Sequence, residues 1–205
     1  MRLLIVLSLA LAALGLADCQ PSVSGASADD MSLGNPHAKV TVIEYASVAC
    51  PHCAAFNNSV FPAFKAKYID TGKVFYIARE ALTADPAIAA AGFLTARCAG
   101  KDKYFQVVDA IYHDQTPLET GDDPHAVLLQ IARSAGLTDA QFEACIRDPK
   151  AIAALNARWK RYIDEDKINA TPTFVINGER VEGDASLATL DGAIAKAQAG
   201  GKSPA

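Results

Sequence analysis

Cys50, Pro51, His52 and Cys53 form the segment of the sequence with the clearest chemical potential. Two cysteines separated by two residues at the start of a helix can close into a disulfide and reopen, so the pair can cycle between dithiol and disulfide. One half of a zinc site and a purely structural short disulfide are the alternative interpretations. A structural zinc site takes four ligands, and the sequence holds no second Cys-x-x-Cys segment. Redox chemistry is therefore the leading hypothesis.

Cys50 is predicted to be the nucleophile of the pair. At the N-cap of the following helix, with Pro51 at the first helical position, its sulfur lies beside unpaired backbone N–H groups at the positive end of the helix dipole. His52 is expected to add a positive charge or a hydrogen bond to the thiolate. Both effects lower the pKa of the Cys50 thiol and favour the dithiol over the disulfide. Cys53, one turn further into the helix, is expected to be the less accessible, resolving thiol.

The first residues of the chain predict export. Arg2 precedes an apolar stretch at residues 3–16 that is too short to span a bilayer comfortably, and small residues follow it. Residues 1–17 are therefore predicted to be a signal peptide, with a second plausible cleavage point as late as residue 28. An uncleaved anchor and a buried N-terminal helix are the alternatives.

Cys19 is a candidate lipidation site, because the residues before it resemble a bacterial lipoprotein signal. Asp18, however, stands where a small residue is expected just before such a cysteine. Residues 18–34, rich in Ser, Gly, Ala and Asp, are predicted to form a flexible tether.

The five cysteines fit an exported protein. If Cys19 is cleaved off or lipidated and Cys50 pairs with Cys53, then Cys98 and Cys145 are candidate partners in a structural disulfide. On the chain-entropy model, closing that loop of about 48 residues would stabilise the fold by about 4 kcal/mol. Two independently buried free thiols are the alternative.

The composition is that of an ordinary globular protein. The 205 residues are 51% hydrophobic and 20% charged, which is enough to bury one good core. The net charge of -4 argues against a general nucleic-acid binder. No phosphate-cradling glycine loop is present, so no organic cofactor is expected.

The order of the predicted elements is β-α-β, a helical region, then β-β-α. The elements are a strand at about 39–45, a helix from Cys50 to about Tyr68, a strand at 74–77, helices from about 85 to 166, a strand at 173–176, a tight turn at Asn177–Gly178 leading into a second strand, and a last helix at about 186–199. Helix starts in the middle region are marked by capping side chains, three of them followed by proline: Asp85–Pro86, Asp123–Pro124, Asp148–Pro149, and Thr138 with Gln141.

Two further patterns concern packing. Apolar residues recur at helical spacing in the last helix of the middle region and predict a core-facing stripe: Ile152, Leu155, Trp159 and Ile163. Arg79 and Glu80, just after the second strand, are expected to form a surface pair.

The elements and motifs resemble those of the DsbA-like thiol:disulfide oxidoreductases, exported members of the thioredoxin superfamily. The resemblance covers roughly residues 35–198, and it rests on the Cys-Pro-His-Cys segment and on the segment from Ala170 to Gly178. It implies an α/β thioredoxin fold with an inserted all-helical domain. Its boundaries are then 35–84 and 167–198 for the two halves, 85–166 for the insertion and 199–205 for a tail.

The resemblance also implies roles for three further residues. Pro172 is expected to follow a cis peptide bond and to lie beside the cysteines. Glu44 is expected to be buried beneath them as a proton acceptor, with an edge-facing surface glutamate as the alternative. Thr171 stands where strong oxidases of the family usually carry valine, whereas threonine there is familiar from isomerases and reductases, and its hydroxyl can hydrogen-bond to the Cys50 sulfur.

The function implied by this resemblance is the introduction of disulfide bonds into exported proteins that carry free cysteines. The expected location is the bacterial periplasm, and the expected reoxidant is a membrane protein of the DsbB type. A monomer is expected, because residues 20–38 are too few for an N-terminal dimerisation domain. The alternatives are a disulfide reductase or isomerase of the same fold and, in another class, a lipid-anchored peptide-binding or zinc-binding module.

Overall fold

A computed structural model describes residues 26–115, 123–182 and 186–200. Within them, five strands form one mixed sheet in the order β1-β3-β2-β4-β5. Strands β2 and β3 pair in parallel, and the other neighbouring pairs are antiparallel. The strands are β1 (Met31–Gly34), β2 (Val40–Ala46), β3 (Val74–Glu80), β4 (Thr173–Ile176) and β5 (Glu179–Glu182).

Helices cover the sheet and form a separate helical region after β3. They are α1 (Pro51–Ser59), α2 (Phe61–Phe64), a π-helical turn (Lys65–Ile69), α3 (Pro86–Cys98), α4 (Lys101–His113), α5 (Pro124–Ser134), α6 (Asp139–Arg147), α7 (Pro149–Asp164) and α8 (Leu187–Gly200). The predicted α/β fold with an inserted helical region is thus confirmed. The predicted signal peptide, Cys19 and most of the C-terminal tail lie outside the described residues.

Strand β2 is buried on both faces, which explains its nearly continuous apolar sequence. Val42 faces a core formed with Phe56 of α1 and Ile194 of α8. Tyr45 faces the opposite side and packs edge-on against Tyr162 of α7. The strand that leads into the cysteines is therefore fixed from both sides.

The helix starts predicted from capping residues are all present. The three aspartates each accept a backbone N–H of their own first turn, and Thr138 with Gln141 forms a complete capping box. In the last helix of this region, α7, the buried positions are Leu155, Arg158 and Tyr162, whereas Ile163 is exposed. The predicted core stripe is therefore wrong by one position at its C-terminal end.

The helix predicted from Cys50 to Tyr68 is broken. Helix α1 ends at Ser59, and the chain continues through α2 and the π-helical turn. Pro62 explains the break, because its ring clashes with the carbonyl of Asn58 and it has no N–H to donate to that carbonyl. The turn closes with the Asp70 N–H donating to the Lys65 carbonyl, an i to i−5 bond.

The predicted tether ends earlier than expected. Residues 31–34 form strand β1, antiparallel to β3, so that Met31 lies opposite Ala78. Asp30, just before the strand, is buried against Arg79. Strand pairing and this ion pair attach the segment to the domain, which its polar composition alone does not indicate.

Arg79 is buried, contrary to the surface position expected for it. Its guanidinium donates to the Tyr45 hydroxyl at 2.7 Å, to an Asp166 carboxylate oxygen at 3.1 Å and to an Asp30 carboxylate oxygen at 3.3 Å. These partners come from three distant segments, which is why the local sequence did not reveal them. A surface position was expected because Arg79 lies near the end of a strand. In the structure, residues on both sides of the sheet cover this end of β3.

Glu80 is also buried, on the opposite face of β3. Its carboxylate accepts from Arg97 of α3 at 2.6 Å, from Arg158 of α7 at 2.7 Å and from the Tyr104 hydroxyl of α4 at 3.2 Å. One carboxylate thus joins the sheet to three helices of the insertion.

A disulfide joins Cys98 at the end of α3 to Cys145 in α6, with the two Cα atoms 6.2 Å apart. It crosslinks two helices within the insertion. Cys50 and Cys53 are free thiols in this structure.

Replacing Arg79 by methionine is expected to lower the free energy of unfolding by about 3 to 5 kcal/mol, because the carboxylates of Asp30 and Asp166 would stay buried without their cation. Urea unfolding followed by circular dichroism measures the loss. Arg133→Met is the matched control and is expected to change the stability little, since the Arg133–Asp139 pair is exposed and screened by solvent. Equal losses in the two variants would contradict the assigned role of the buried cluster.

Candidate active site

Cys50 is the N-cap of α1. Its backbone is extended, with φ −95° and ψ 121°, and Pro51 occupies the first helical position. Cys50 is 7% exposed, whereas Cys53 is fully buried. Pro51 and His52 are exposed. The structure therefore leaves Cys50 partly accessible at the surface and buries Cys53 completely.

The turn before Cys50 is held from two sides. Gln115 donates its side-chain N–H to the Val48 carbonyl at 2.9 Å. Gly92 of α3 lies so close to Val48 that an added Cβ would come within 2.8 Å of a Val48 methyl group. Glycine at this helical position thus permits the close approach of the insertion to the turn, and the contact fixes the start of α1.

The two thiols have strongly different pKa values. The pKa of Cys50 is lowered to about 5, mainly because the Cys53 thiol donates a hydrogen bond to the Cys50 sulfur, and burial only partly opposes this. Burial raises the pKa of Cys53 well above its ordinary value, and the hydrogen bond to Cys50 raises it further. At neutral pH the reduced pair is therefore a Cys50 thiolate beside a Cys53 thiol.

The backbone at the helix start contributes less than the Cys53 thiol. The N–H groups of Cys53 and His52 lower the pKa of Cys50, although neither closes a capping hydrogen bond to its sulfur. His52 was expected to act through its imidazole. The structure shows an effect of its backbone N–H on the pKa of Cys50, and the effect of the imidazole stays a prediction.

Thr171 lies directly beside Cys50, and Pro172 follows it in the chain. The peptide bond between them is cis, as the resemblance implied. The Cys50 thiol donates to the Thr171 carbonyl at 3.5 Å, and an interaction with the Thr171 side chain lowers the pKa of Cys50. Pro172 is buried and leads into β4, which pairs with β2.

Thr83 is a site residue that the sequence analysis missed. Its hydroxyl oxygen lies 2.7 Å from the hydroxyl oxygen of Thr171, and its carbonyl accepts from the Ser47 hydroxyl at 3.0 Å. Thr83 lies in the loop between β3 and α3, far from Thr171 in the sequence. No local motif marks it, and only the position of that loop beside the end of β2 could have suggested it.

Glu44 is 4% exposed on β2. It is therefore buried, as the resemblance implied, and is not an edge-facing surface residue. The Tyr76 hydroxyl of β3 donates to its carboxylate, and burial raises the pKa of Glu44 to about 7. Glu44 in turn helps to raise the pKa of Cys53 through its charge. Tyr76 was not predicted, but it lies opposite Val42 on the neighbouring strand, so the two-residue period of the strands places it diagonally across from Glu44.

A cavity of about 340 Å³ reaches Glu44 and Tyr76 from the surface. Its walls include the aromatic rings of Phe61, Phe93 and Phe105. Exposed Gln106 and Asp109 of α4 also line it, so the cavity connects the buried carboxyl group with the solvent side of α4.

Metal-ligand clusters and membrane-spanning helices are both absent from the described ranges. No group of three or more His, Cys, Asp or Glu side chains there is arranged to hold a metal ion. In the same ranges, no helix has both the length and the apolar character needed to cross a membrane.

Comparisons with known proteins agree with this geometry. A family model described as thioredoxin matches residues 26–196. A putative protein-disulfide oxidoreductase of Rickettsia bellii is 34% identical over 170 residues, covering 82% of this chain and 64% of the relative. The thiol:disulfide interchange protein DsbL of Escherichia coli is 28% identical over 171 residues, covering 76% of each chain. The chain thus spans less than two thirds of the Rickettsia relative.

Solved structures give the same result at the level of the fold. The crystal structure of Wolbachia pipientis alpha-DsbA1 superposes with a TM-score of 0.78 at 28% identity, covering 86% of this chain and 94% of that one. BdbD of Bacillus subtilis, at 21% identity and a TM-score of 0.71, shares the fold. With a family model spanning most of the sequence and a thioredoxin-like sheet carrying a helical insertion, the chain belongs to the thioredoxin family and is DsbA-like.

Proposed function

We propose that the chain is a thiol:disulfide oxidoreductase that oxidises cysteine pairs in exported proteins through Cys50 and Cys53. The observation that carries the proposal is the difference between the two thiols, with the pKa of Cys50 lowered to about 5 and that of buried Cys53 raised. The names of the relatives, protein-disulfide oxidoreductase and thiol:disulfide interchange protein, support the same reaction class.

The reaction begins with the Cys50–Cys53 disulfide. A substrate thiolate attacks the Cys50 sulfur, forming a mixed disulfide, and Cys53 leaves and takes up a proton. A second substrate thiolate then attacks the substrate sulfur of the mixed disulfide, and Cys50 leaves as a thiolate. The substrate gains a disulfide and loses two electrons, which the enzyme pair keeps. Of the two substrate thiol protons, one stays on Cys53 and one goes to solvent.

The low pKa of Cys50 sets the direction of this exchange. A thiol of low pKa is a good leaving group and is stable as a thiolate, so the reduced enzyme is favoured over its disulfide. The disulfide therefore oxidises thiols of ordinary pKa. Thr171, in contact with Cys50, and Pro172 after it are proposed to border the bound substrate segment.

Glu44 is proposed to accept the Cys53 proton when the pair is reoxidised. Its raised pKa of about 7 lets it hold or release a proton near neutral pH. The structure describes no direct hydrogen bond between Glu44 and Cys53 in the residues it covers, so the transfer needs water. The cavity that Glu44 and Tyr76 line has room for water molecules and gives them hydrogen-bond partners, which supports exchange of the Glu44 proton with solvent.

The proposed setting is the bacterial periplasm, with residues 1–17 as the signal that directs export. Proteins with free cysteines are the proposed substrates, and a membrane protein of the DsbB type is the proposed reoxidant. The proposed unit is a monomer made of the thioredoxin halves at 35–84 and 167–198 and the insertion at 85–166. Strand β1 joins the first half.

A second candidate is a reductase or isomerase with the same fold. What favours it is the residue type at position 171, because the family resemblance associates threonine there with isomerases and reductases and valine with strong oxidases. The chemistry of Cys50 is shared by both candidates, and they differ in the preferred direction of exchange.

The reaction is tested with a reduced, unfolded model protein that carries several cysteines. The oxidised chain is expected to form disulfides in it stoichiometrically, and Cys50→Ser is expected to abolish this. Cys53→Ala, converted to a mixed disulfide, is expected to stay joined to substrate through Cys50, as detected by mass spectrometry. Arg133→Met is the control that leaves the rate unchanged. Persistence of the substrate thiols with the parent protein would contradict the oxidase proposal.

Removal of the Cys53 thiol is expected to raise the pKa of Cys50 above about 5 by more than about one unit, because its hydrogen bond is the largest stabilising contribution. The thiolate absorbance near 240 nm of Cys53→Ala, titrated against pH, measures this. His52→Ala is the comparison, and it is expected to shift the pKa less, since it keeps both the Cys53 hydrogen bond and the backbone N–H of residue 52. A larger shift in His52→Ala would contradict the assignment.

Glu44→Gln is expected to make the reduced protein more stable than the parent above pH 7. The folded-state pKa of Glu44 is about 7 against an ordinary value of 4.5, so the unfolded chain ionises first and the parent loses stability as pH rises between these values. The full difference is about 3 kcal/mol at 1.36 kcal/mol per unit. Urea unfolding at pH 4 and pH 8 measures it, and a difference between variant and parent that does not depend on pH would contradict the raised pKa.

A further inference from the structure

The loop between β3 and α3 places a second threonine hydroxyl behind the one that borders Cys50. Thr83 Oγ1 and Thr171 Oγ1 are 2.7 Å apart, and either can be the donor. Each hydroxyl carries one proton, so the pair has two arrangements. If Thr171 donates to Thr83, its hydroxyl has no proton left and can only accept hydrogen bonds from any other group. If Thr83 donates to Thr171, the Thr171 proton is free for a different acceptor.

The Cys50 sulfur decides between the two arrangements. As a thiol it donates to the Thr171 carbonyl at 3.5 Å, but a thiolate has no proton to donate and this bond is lost. The remaining Thr171 group that can stabilise negative sulfur is the hydroxyl, and the Thr171 side chain does lower the pKa of Cys50. A proton directed at sulfur cannot also be directed at Thr83, so Thr83 must then be the donor of the pair.

The position of Thr83 is fixed by the turn that leads into the cysteines. The Ser47 hydroxyl donates to the Thr83 carbonyl at 3.0 Å and accepts the Ala49 N–H at 3.3 Å. The Ser47 carbonyl accepts the Cys50 N–H at 3.0 Å. One serine thus binds both the Thr83 loop and the backbone of the nucleophile.

The backbone after Thr83 also shows that the loop is held in place. Ala84 has φ 63°, in the left-handed region, which is unfavourable for a residue with a Cβ. Such a conformation persists where its surroundings determine it, and it occurs often at functional sites. Here the Ser47 hydrogen bond and the capping of α3 by Asp85 lie on either side of it.

We propose that Thr83 is a positioning residue for the redox pair: its hydroxyl donates to Thr171 and thereby turns the Thr171 proton toward the Cys50 thiolate. In the disulfide, the sulfur has no negative charge and this orientation gains little. The hydroxyl pair therefore stabilises the reduced enzyme more than the oxidised one, and it makes the disulfide more oxidising. The inference rests on the proposed exchange at Cys50, but it does not depend on whether the protein works as an oxidase or as a reductase.

Thr83→Val removes the hydroxyl and keeps the shape, whereas Thr83→Ser keeps the hydroxyl. Thr83→Val is expected to raise the pKa of Cys50, measured by thiolate absorbance, and to shift the equilibrium with glutathione about threefold to tenfold toward the enzyme disulfide. Thr83→Ser is expected to match the parent in both. Thr83→Ala replaces Thr83→Val if the valine variant does not fold.

Thr171→Val and the double variant Thr83→Val/Thr171→Val complete a cycle that separates positioning from a structural role. If Thr83 acts through Thr171, the double variant has the same pKa of Cys50 as Thr171→Val alone. Three results would each overturn the proposal. They are shifts of the Cys50 pKa that add in the double variant, an unchanged pKa in Thr83→Val, and a shift in Thr83→Ser as large as that in Thr83→Val. Client oxidation by the parent protein is a separate readout, so failure of the oxidase proposal leaves these outcomes interpretable.

Discussion

The hydrogen bond from the Cys53 thiol to the Cys50 thiolate is the interaction on which the rest of the site depends. It lowers the pKa of Cys50 and raises that of Cys53, so Cys50 is a thiolate at neutral pH while Cys53 keeps its proton. Burial strengthens this difference, because Cys53 has no solvent to stabilise its charge. The fold meets the requirement by starting α1 at Cys50, which leaves Cys50 near the surface and turns Cys53 inward.

The parallel pair β2–β3 and the antiparallel β4 gather the supporting groups around these sulfurs. Glu44 comes from β2, Thr83 follows β3, and Thr171 precedes β4. The buried ions at the end of β3 hold the same region together, since Arg79 binds both the N-terminal segment and the segment before β4, while Glu80 binds the helical insertion. The ion pairs that stabilise the fold and the groups that surround the two sulfurs thus lie at the same end of the sheet.

Local signals in the sequence predicted much of this. The Cys-x-x-Cys segment, the capping aspartates and the Asn177–Gly178 turn each specify their structure within a few residues, so the element order and the helix starts were predictable. The contacts of Arg79 and the hydroxyl pair of Thr83 and Thr171 were not, because they join segments that only the sheet brings together. The break in the first helix was predictable in principle, since Pro62 lies inside the predicted span.

The equilibrium reduction potential of the Cys50–Cys53 pair in glutathione buffers tests the central proposal most directly. A Cys50 thiolate stabilised by Cys53, Thr171 and the backbone predicts a disulfide that is more oxidising than glutathione, with a potential above about -200 mV and toward the value of about -120 mV known for DsbA. A potential at or below about -200 mV would contradict the oxidase proposal, because the disulfide would then be too stable to oxidise the cysteines of a client protein.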